Sequence, residues 1–261
     1  MKGDILSHRE IRRYSKQIMI PEIGIKGQKK LKQAKVLVVG AGGLGCPVLQ
    51  YLTAAGVGKI AMAEFDMVDE TNLQRQVLYG STDVGKLKSI IAKNRLEHLN
   101  SLVEFEIFNL RLDASNSLNI LKNFDVIVDA TDNLDTRYII NDSCVILDRP
   151  MVHGSIYKYE GVISVFNYKG GPTYRCYNPS SMNKEFKNPL PSQVGLLGVL
   201  PGITGAYMAN EVIKIITETG EILSGKVLLI NIFNNTFNTF SVNNIPENHN
   251  IKDLKDSLSP L

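Results

Sequence analysis

Short apolar runs alternate with longer amphipathic stretches through about the first 150 residues of the chain. Such runs are typical of strands buried on both faces of a parallel sheet, and they predict strands at 35–39, 60–65, 103–108 and 125–129. The stretches between them have apolar residues at helical spacing, which predicts helices at 27–33, 43–55, 85–100, 115–121 and 135–147. A further helix over 7–17 begins with the capping-box pattern Ser7-x-x-Glu10.

The alternation stops near residue 150, and the pattern beyond it favours antiparallel pairing. Two segments, 151–157 and 161–166, are separated by a short polar turn, which is typical of a β-hairpin. A loop-like region, a long helix and a second hairpin follow, at 168–194, 199–218, 226–232 and 236–242. The predicted fold class is therefore α/β, with a Rossmann-like, doubly wound, mostly parallel sheet that is extended by antiparallel strands.

Length and composition are those of an ordinary globular protein. The 261 residues suffice for one large domain, placed at 1–242, and the polar residues 243–261 are expected to form a loosely attached tail with a short helix at 251–257. The net charge of only +3 gives no support for nucleic-acid binding. Because the chain has neither a membrane-length apolar run nor an apolar signal core, a cytoplasmic protein without membrane contact is expected.

A glycine-rich loop between the first predicted strand and the next helix is the first sign of chemistry. Gly40, Gly42 and Gly45 form G-x-G-x-x-G, in which the glycines permit a tight turn, close approach to a phosphate and helix–strand packing. The helix that follows offers free N–H groups to an anion. Asp66, about twenty residues on, is expected to hold the ribose of a nucleotide, with Glu64 as the alternative acid.

The segment after the second predicted strand favours ATP over a redox dinucleotide. The sequence NLQRQ at 72–76 brings Arg75 near the phosphate end, and Lys86 and Lys88 follow. Charge builds on the outer phosphates of a triphosphate when pyrophosphate departs, and basic side chains stabilise that charge. An enzyme that transfers hydride needs a nicotinamide pocket and little extra positive charge. Taken singly, each of these basic residues could instead be an ordinary surface side chain that binds no phosphate.

An aspartate is predicted at the edge of the sheet where ligands bind. The fourth predicted strand ends in VDATDN, which puts Asp132 just past its carboxyl end. A carboxylate beside a triphosphate usually serves Mg²⁺, so Asp132 is the predicted magnesium residue. Asp129 is the alternative, although it lies nearer the buried strand, and a helix N-cap is a second role open to Asp132.

Several motifs together resemble the ThiF/MoeB/HesA family, the bacterial relatives of ubiquitin-activating enzymes. They are RYSKQI, VVGAGGLGCP, AEFDMVDETNLQRQ, VGKLKS, DATDN and YEGVISVFNYKGGPTYRC, and the similarity covers about residues 5–242. The resemblance implies an ATP-dependent adenylation of the C-terminal glycine of a ubiquitin-like sulfur carrier, ThiS- or MoaD-like, with release of pyrophosphate. It also implies a nucleotide-binding half at about 1–150, a carrier-binding half at about 151–242, and service to thiamine or molybdopterin synthesis.

The family pattern carries over to this sequence position by position. Arg13 and Lys16 match a helix that reaches the ATP site of the partner in a homodimer, where lysine stands in place of the family's usual arginine and cannot form a bidentate fork. The nucleotide residues that the resemblance implies are Gly40, Gly42, Gly43, Gly45, Asp66, Asn72 and Gln76, the phosphate and catalytic residues Arg75 and Lys88, and the magnesium-linked Asp132.

Two departures from the family concern cysteine. The first half of the family's zinc site is reduced to Thr173-Tyr-Arg-Cys176 and the second half has no cysteine, so no structural zinc is expected. The family's crossover-loop cysteine is replaced by Pro191, with Ser192 beside it, and neither can form a persulfide. A separate sulfur donor is therefore predicted. Cys176 is a distant substitute, whereas Cys46 and Cys144 are expected to be packing residues.

Other functions stay open at this point. A hydride-transferring dehydrogenase of the same fold is disfavoured by NLQRQ and Lys88. A nucleotide-binding relative with reduced catalysis would explain the missing cysteines, although it need not keep Arg75, Lys88 and Asp132. A family member that activates a different small substrate is not excluded by any residue.

Overall fold

A computed structural model describes residues 6–179 and 195–254. In these ranges eight strands form one sheet in the order β3-β2-β1-β4-β5-β6-β7-β8. The strands are β1 Lys35–Val39, β2 Lys59–Ala63, β3 Glu104–Phe108, β4 Val126–Asp129, β5 Met151–Tyr157, β6 Glu160–Phe166, β7 Lys226–Asn231 and β8 Thr236–Ser241. The helices are α1 His8–Arg13, α2 Ser15–Ile18, α3 Gly24–Gln33, α4 Gly45–Ala55, α5 Lys88–Leu99, α6 Ser117–Leu121, α7 Leu134–Leu147, α8 Tyr174–Tyr177 and α9 Val199–Thr217.

The direction of the strands changes after β5. Strands β1 to β5 pair in parallel, whereas β5 to β8 pair as antiparallel neighbours. The chain order reverses between β1 and β4, which lie side by side, and this is the topological switch point where open α/β sheets bind ligands. The α/β architecture predicted from the sequence, a mostly parallel sheet with antiparallel strands after residue 150, is confirmed.

The core has two layers because side chains alternate along each buried strand. Val36 and Val38 of β1 belong to the layer that contains residues of α3, α4, α5 and α9. Leu37 and Val39 belong to the opposite layer, which contains residues of α6 and α7. Helices therefore cover both faces of the parallel part of the sheet, and this is why its central strands have apolar runs instead of alternating polar residues.

Several element boundaries differ from the prediction for local reasons. The N-terminal helix is divided into α1 and α2, because Tyr14 leaves helical geometry and its hydroxyl accepts from Asn100 Nδ2 at 2.8 Å. Strand β2 ends at Ala63, two residues before the predicted end at Phe65. Helix α5 begins at Lys88, since Gly85 has a φ of +80° that a helix interior does not allow. No helix in the described residues is long and apolar enough to span a membrane.

The described part of the C-terminal tail contacts the loop after β6. Asn244 donates to the carbonyl of Gly170 at 3.0 Å, and a 3₁₀ turn occupies Pro246–His249. Of the helix expected at 251–257, residues 251–253 are not helical and 255–257 lie outside the described residues. The loop expected at 168–194 contains α8, and its residues 180–194 are likewise outside the described ranges. The division into a domain and a tail stays a prediction.

Candidate active site

A cleft of about 870 Å³ opens at the switch point. Its walls come from the loops after β1, β2, β3 and β4, from the tip of the β5–β6 hairpin, and from Gly195 and Leu196 before α9. Those first four loops follow the carboxyl ends of parallel strands, which meet at one edge of the sheet. The cleft therefore lies where the sequence predicted the ligand to bind.

The glycine loop approaches the neighbouring strand too closely for side chains. Gly40 has a φ of +93°, and a Cβ there would lie 2.8 Å from the carbonyl oxygen of Ala130. Gly42 and Gly43 line the cleft. A Cβ on Gly45 would lie 2.0 Å from the oxygen of Gly40, so this third glycine packs helix α4 against the loop and, in the described structure, lies outside the cleft wall. At the start of α4 the N–H of Cys46 donates to the carbonyl of Gly42 at 2.9 Å and Pro47 has no N–H, so the helix offers an anion chiefly the positive end of its dipole.

Replacing Gly45 by alanine should destabilise the fold because the new methyl group meets backbone, which cannot rotate away. We expect the free energy of unfolding to fall by about 3 kcal/mol, in the range of overpacked cores. Gly202→Ala in α9 is the matched control, since nothing lies within 4 Å of its Cβ position, and it should gain about 0.5 kcal/mol from helix propensity. Denaturant titration measures both, and equal stability of the two variants would contradict the packing role.

The two acids considered for the ribose have different surroundings. Glu64 is buried and accepts backbone N–H groups of Ala41, Phe65 and Asp66 at 2.8–2.9 Å. Its carboxylate is thus occupied in fixing the glycine loop against the end of β2, which is also why β2 stops early. The Asp66 side chain is 54% exposed in the cleft and pairs with Lys88 Nζ at 3.2 Å. This favours Asp66 over Glu64 as the ribose residue.

The segment at 72–76 forms a hydrogen-bonded group around one amide. Asn72 Oδ1 accepts from Gln76 Nε2 at 2.6 Å and from Arg75 Nη2 at 3.4 Å. Arg75 also donates to the carbonyl of Thr71 at 3.2 Å. The buried Gln76 Oε1 has no hydrogen-bond partner within the described part of the chain. An orphaned acceptor in a cleft wall fits a ligand that brings hydroxyl or amino donors, as a nucleoside does.

Asp132 and Asp129 have separate positions. Asp132 is exposed in the cleft wall, and Asn133 caps helix α7 in its place by accepting from the N–H of Thr136 at 3.0 Å. Asp129 is buried and pairs with His153 Nδ1 at 2.7 Å. An exposed carboxylate is the hard oxygen ligand that Mg²⁺ prefers, so the geometry favours Asp132 over Asp129 as the magnesium residue.

Burial and pairing shift the ionisation of the Asp129–His153 pair. Burial alone would raise the pKa of Asp129, but the hydrogen bond with His153 and the charge of Arg137 lower it overall. Burial lowers the pKa of His153, and the bond to Asp129 offsets this only in part. The imidazole is therefore neutral at pH 7 and donates its Nδ1 proton to the carboxylate.

Three basic residues of the cleft were not predicted from the sequence. Arg111 follows β3, Arg137 lies in the first turns of α7 and Lys158 occupies the β5–β6 turn with a φ of +52°. The position of Arg137 one turn after the DATDN loop was the available signal; the other two become neighbours only through the sheet. Among the described residues the cleft has five basic side chains: Arg75, Lys88, Arg111, Arg137 and Lys158. The basic side chains outnumber the acidic ones that line the cleft, Glu64, Asp66 and Asp132, and this excess of positive charge suits a polyanion.

Other predicted residues lie elsewhere. Arg13 donates to the carbonyl of Leu99, and in the described structure neither it nor Lys16 lines the cleft of its own chain. Burial raises the pKa of Cys46 to about 12 and also raises the pKa of Cys144, as expected for packing residues. The described residues contain no group of three or more His, Cys, Asp or Glu placed to hold a metal. Pro191 and Ser192 lie outside the described residues.

The cleft and the sheet define a class of protein: a Rossmann-like domain whose glycine loop and basic walls suit a phosphorylated ligand such as a nucleotide. Comparison with known proteins makes this specific. Residues 14–251 match the ThiF family, and the chain belongs to that family. The resemblance found in the motifs is thereby confirmed.

Relatives and solved structures agree with this assignment. The chain is 44% identical to the sulfur carrier protein adenylyltransferase of Thermus thermophilus, over 91% of this chain and 89% of the relative. It is 43% identical to a probable molybdopterin-synthase adenylyltransferase of Porphyra purpurea, over 89% of this chain but only 61% of that protein. A crystal structure of E. coli MccB with ATP superposes with a TM-score of 0.80 at 25% identity, covering 94% of this chain and 75% of the other. The chain thus spans about half to two-thirds of several relatives' length.

Proposed function

We propose that this chain is an ATP-dependent adenylyltransferase that acts on the C-terminal glycine of a ubiquitin-like sulfur-carrier protein. The observation that carries the proposal is the cleft at the switch point, where a glycine loop faces more basic than acidic side chains. The names of the relatives, sulfur carrier protein adenylyltransferase and molybdopterin-synthase adenylyltransferase, support the carrier as substrate. Thiamine or molybdopterin synthesis is the pathway class served.

The proposed reaction needs no protein nucleophile. A carboxylate oxygen of the carrier attacks the α-phosphorus of ATP, a new O–P bond forms, the bond to the bridging oxygen breaks, and pyrophosphate leaves. The protein contributes positioning and neutralisation of charge. Arg75 and Lys88 stabilise the departing phosphates, and Asp66 holds the ribose after exchanging its contact with Lys88 for sugar hydroxyls. Gln76 Oε1 gains the donor that it lacks in the described chain.

Mg²⁺ is proposed to accompany ATP and to neutralise the charge of its phosphates. Asp132 would hold it, because its carboxylate is exposed in the cleft wall and is not used to cap α7. No protein zinc site is proposed, because Cys176 is the one cysteine that this sequence keeps of the family's two pairs, and a lone thiol cannot hold zinc. Its sulfur instead accepts from the N–H of Ile245 and from Asn248 Nδ2, both at 3.4 Å. These bonds attach the tail to α8.

The remaining proposals concern partners. A homodimer would let Arg13 and Lys16, which lie away from the cleft of their own chain, reach the site of the partner. A separate sulfur donor is proposed because proline and serine stand where the family's crossover cysteine would be. Neither side chain forms a persulfide.

ATP–pyrophosphate exchange tests the proposed function directly. The purified chain is incubated with ATP, labelled pyrophosphate and a ThiS- or MoaD-like carrier ending in Gly-Gly, in parallel with the same carrier lacking its last glycine. Exchange that requires the complete tail is expected. Exchange that proceeds equally with the truncated carrier, or without any carrier, would show that another acid is the substrate, and reduction of a nicotinamide coenzyme without pyrophosphate release would overturn the adenylation proposal.

Cys176→Ala should leave the exchange rate within about twofold of the unmodified chain, because the adenylation step uses no thiol. The sulfur makes its contacts with the tail and Thr173, so the change should instead loosen residues 245–248, detectable as faster amide hydrogen exchange. Cys144→Ala is the control for general damage, since it leaves a cavity in the core and should cost about 1–2 kcal/mol of stability. A loss of exchange above tenfold in Cys176→Ala would place this thiol in the reaction.

A further inference from the structure

The loop that carries Asp132 is held at its neighbour, Thr131, by three polar contacts. Asp129 Oδ1 accepts from the N–H of Thr131 at 3.1 Å and from its hydroxyl at 2.6 Å. Arg137 Nη2 donates to the carbonyl of Thr131 at 2.8 Å. The peptide N–H, the hydroxyl and the carbonyl of one residue are thus all engaged, which leaves the backbone next to Asp132 little freedom.

The residues that hold Thr131 are themselves anchored in the core. The second oxygen of Asp129 takes the bond from His153, and these two residues are register partners on β4 and β5. The His153 ring lies 5.0–6.5 Å from the rings of Phe166, Tyr174 and Tyr177. An unbroken series of contacts therefore runs from an aromatic cluster, through His153 and Asp129, to the wall of the cleft.

A buried polar network of this kind is not explained by stability alone. A buried ion or polar pair often adds less to stability than well-packed apolar residues of the same size would, because both groups lose their hydration. Arg137 Nε is buried, 3.9 Å from Asp129 Oδ2, and has no hydrogen-bond partner within the described residues. Burying this network costs solvation free energy, and one of its N–H groups stays unpaired. Because the network ends at the loop of a carboxylate that faces the cleft, a role in the functional site explains it better than a role in core stability does.

We propose that Asp129, His153 and Arg137 are positioning residues that hold the Ala130–Asn133 loop so that Asp132 is already placed for the Mg²⁺ of the bound nucleotide. The inference rests on the proposed function, and it assigns roles to His153 and Arg137 that go beyond the contacts of the nucleotide itself. His153 acts through Asp129, whereas Arg137 acts on the loop directly and also lines the cleft.

The test measures how much Mg²⁺ strengthens binding of a non-hydrolysable α,β-methylene analogue of ATP. Calorimetric titration with excess EDTA and with saturating Mg²⁺ gives two dissociation constants, and their ratio is the magnesium gain. The variants are His153→Leu, which cannot donate to Asp129, His153→Asn, which keeps a donor at similar reach, and Thr131→Val, which removes one hydroxyl. Thr53→Val is the matched control, because the buried Thr53 hydroxyl has no partner within the described chain.

The expected result separates positioning from structural damage. His153→Leu should reduce the magnesium gain about tenfold, and Thr131→Val about threefold, while affinity in EDTA changes less than twofold. His153→Asn should restore most of the gain, and Thr53→Val should match the unmodified chain. The inference is overturned if the variants lose affinity equally with and without Mg²⁺, or if their gain is unchanged.

If His153→Leu does not fold, Thr131→Val decides alone, since Thr131 is only half-buried at the edge of the network. Failure of the proposed function is recognised separately, from the unmodified chain in the pyrophosphate exchange assay. A chain that exchanges normally and whose variants keep the full magnesium gain would retain its function and lose only the positioning role.

Discussion

Arg75→Ala should lower the rate of ATP–pyrophosphate exchange by about 10²–10³-fold, the loss seen when one preorganised group that stabilises transition-state charge is removed. Arg75 is the basic residue of the NLQRQ segment, and its guanidinium is held in the cleft wall by Thr71 and Asn72. Its charge is unmatched by any acid in those contacts. The full positive charge is therefore available to the phosphates, and an alanine leaves nothing in its place.

Arg75→Ala should keep the fold, so that a lower exchange rate reports the loss of the guanidinium and not unfolding. The bonds of Arg75 are exposed or part-buried, and such contacts contribute little to stability, so the unfolding temperature should move by no more than about 2 °C. Arg75→Lys is the graded control, because lysine keeps the charge but loses the planar fork, and we expect a loss of about tenfold. Exchange within about threefold of normal in a folded Arg75→Ala chain would mean that the phosphates lie elsewhere.

Much of the fold follows from local pattern alone. Buried parallel strands need continuous apolar runs, so 35–39 and 125–129 were predicted as strands within one residue of β1 and β4. The glycine loop could also be predicted from the sequence, because Gly40 and Gly45 lie where no side chain fits and only glycine is possible. These features are readable since each is decided by a few neighbours in the chain.

What the sequence did not predict depends on contacts between distant segments. The pairing of Asp129 with His153 arises from the register of β4 against β5, 24 residues apart, and no periodicity encodes a register. Glu64 was the alternative to Asp66 for the ribose, and the sequence did not show that backbone N–H groups of the glycine loop and of the turn after β2 occupy its carboxylate. The break at Tyr14 likewise reflects a bond to Asn100, across 86 positions. Tertiary contacts thus set the detail of the site while local pattern sets its location.

Asp132→Asn should reduce exchange at least about 10²-fold and raise the Mg²⁺ concentration needed for half-maximal rate. Asparagine has the same shape as aspartate but lacks the charge that attracts a divalent cation. Because Asn133 caps α7, the helix keeps its cap and the variant should unfold at the temperature of the unmodified chain. The effect is therefore electrostatic, and excess Mg²⁺ should recover part of the rate.

Asp135→Asn is the matched control for that variant. Asp135 lies in the first turn of the same helix, three residues away and exposed, and it is not among the described residues that line the cleft. It feels the same helix dipole as Asp132 does, so a general loss of negative charge at this helix end would affect both variants alike. We expect Asp135→Asn to exchange within about twofold of normal with an unchanged Mg²⁺ requirement. Equal losses in the two variants would assign the effect of Asp132 to the helix end instead of to a bound cation.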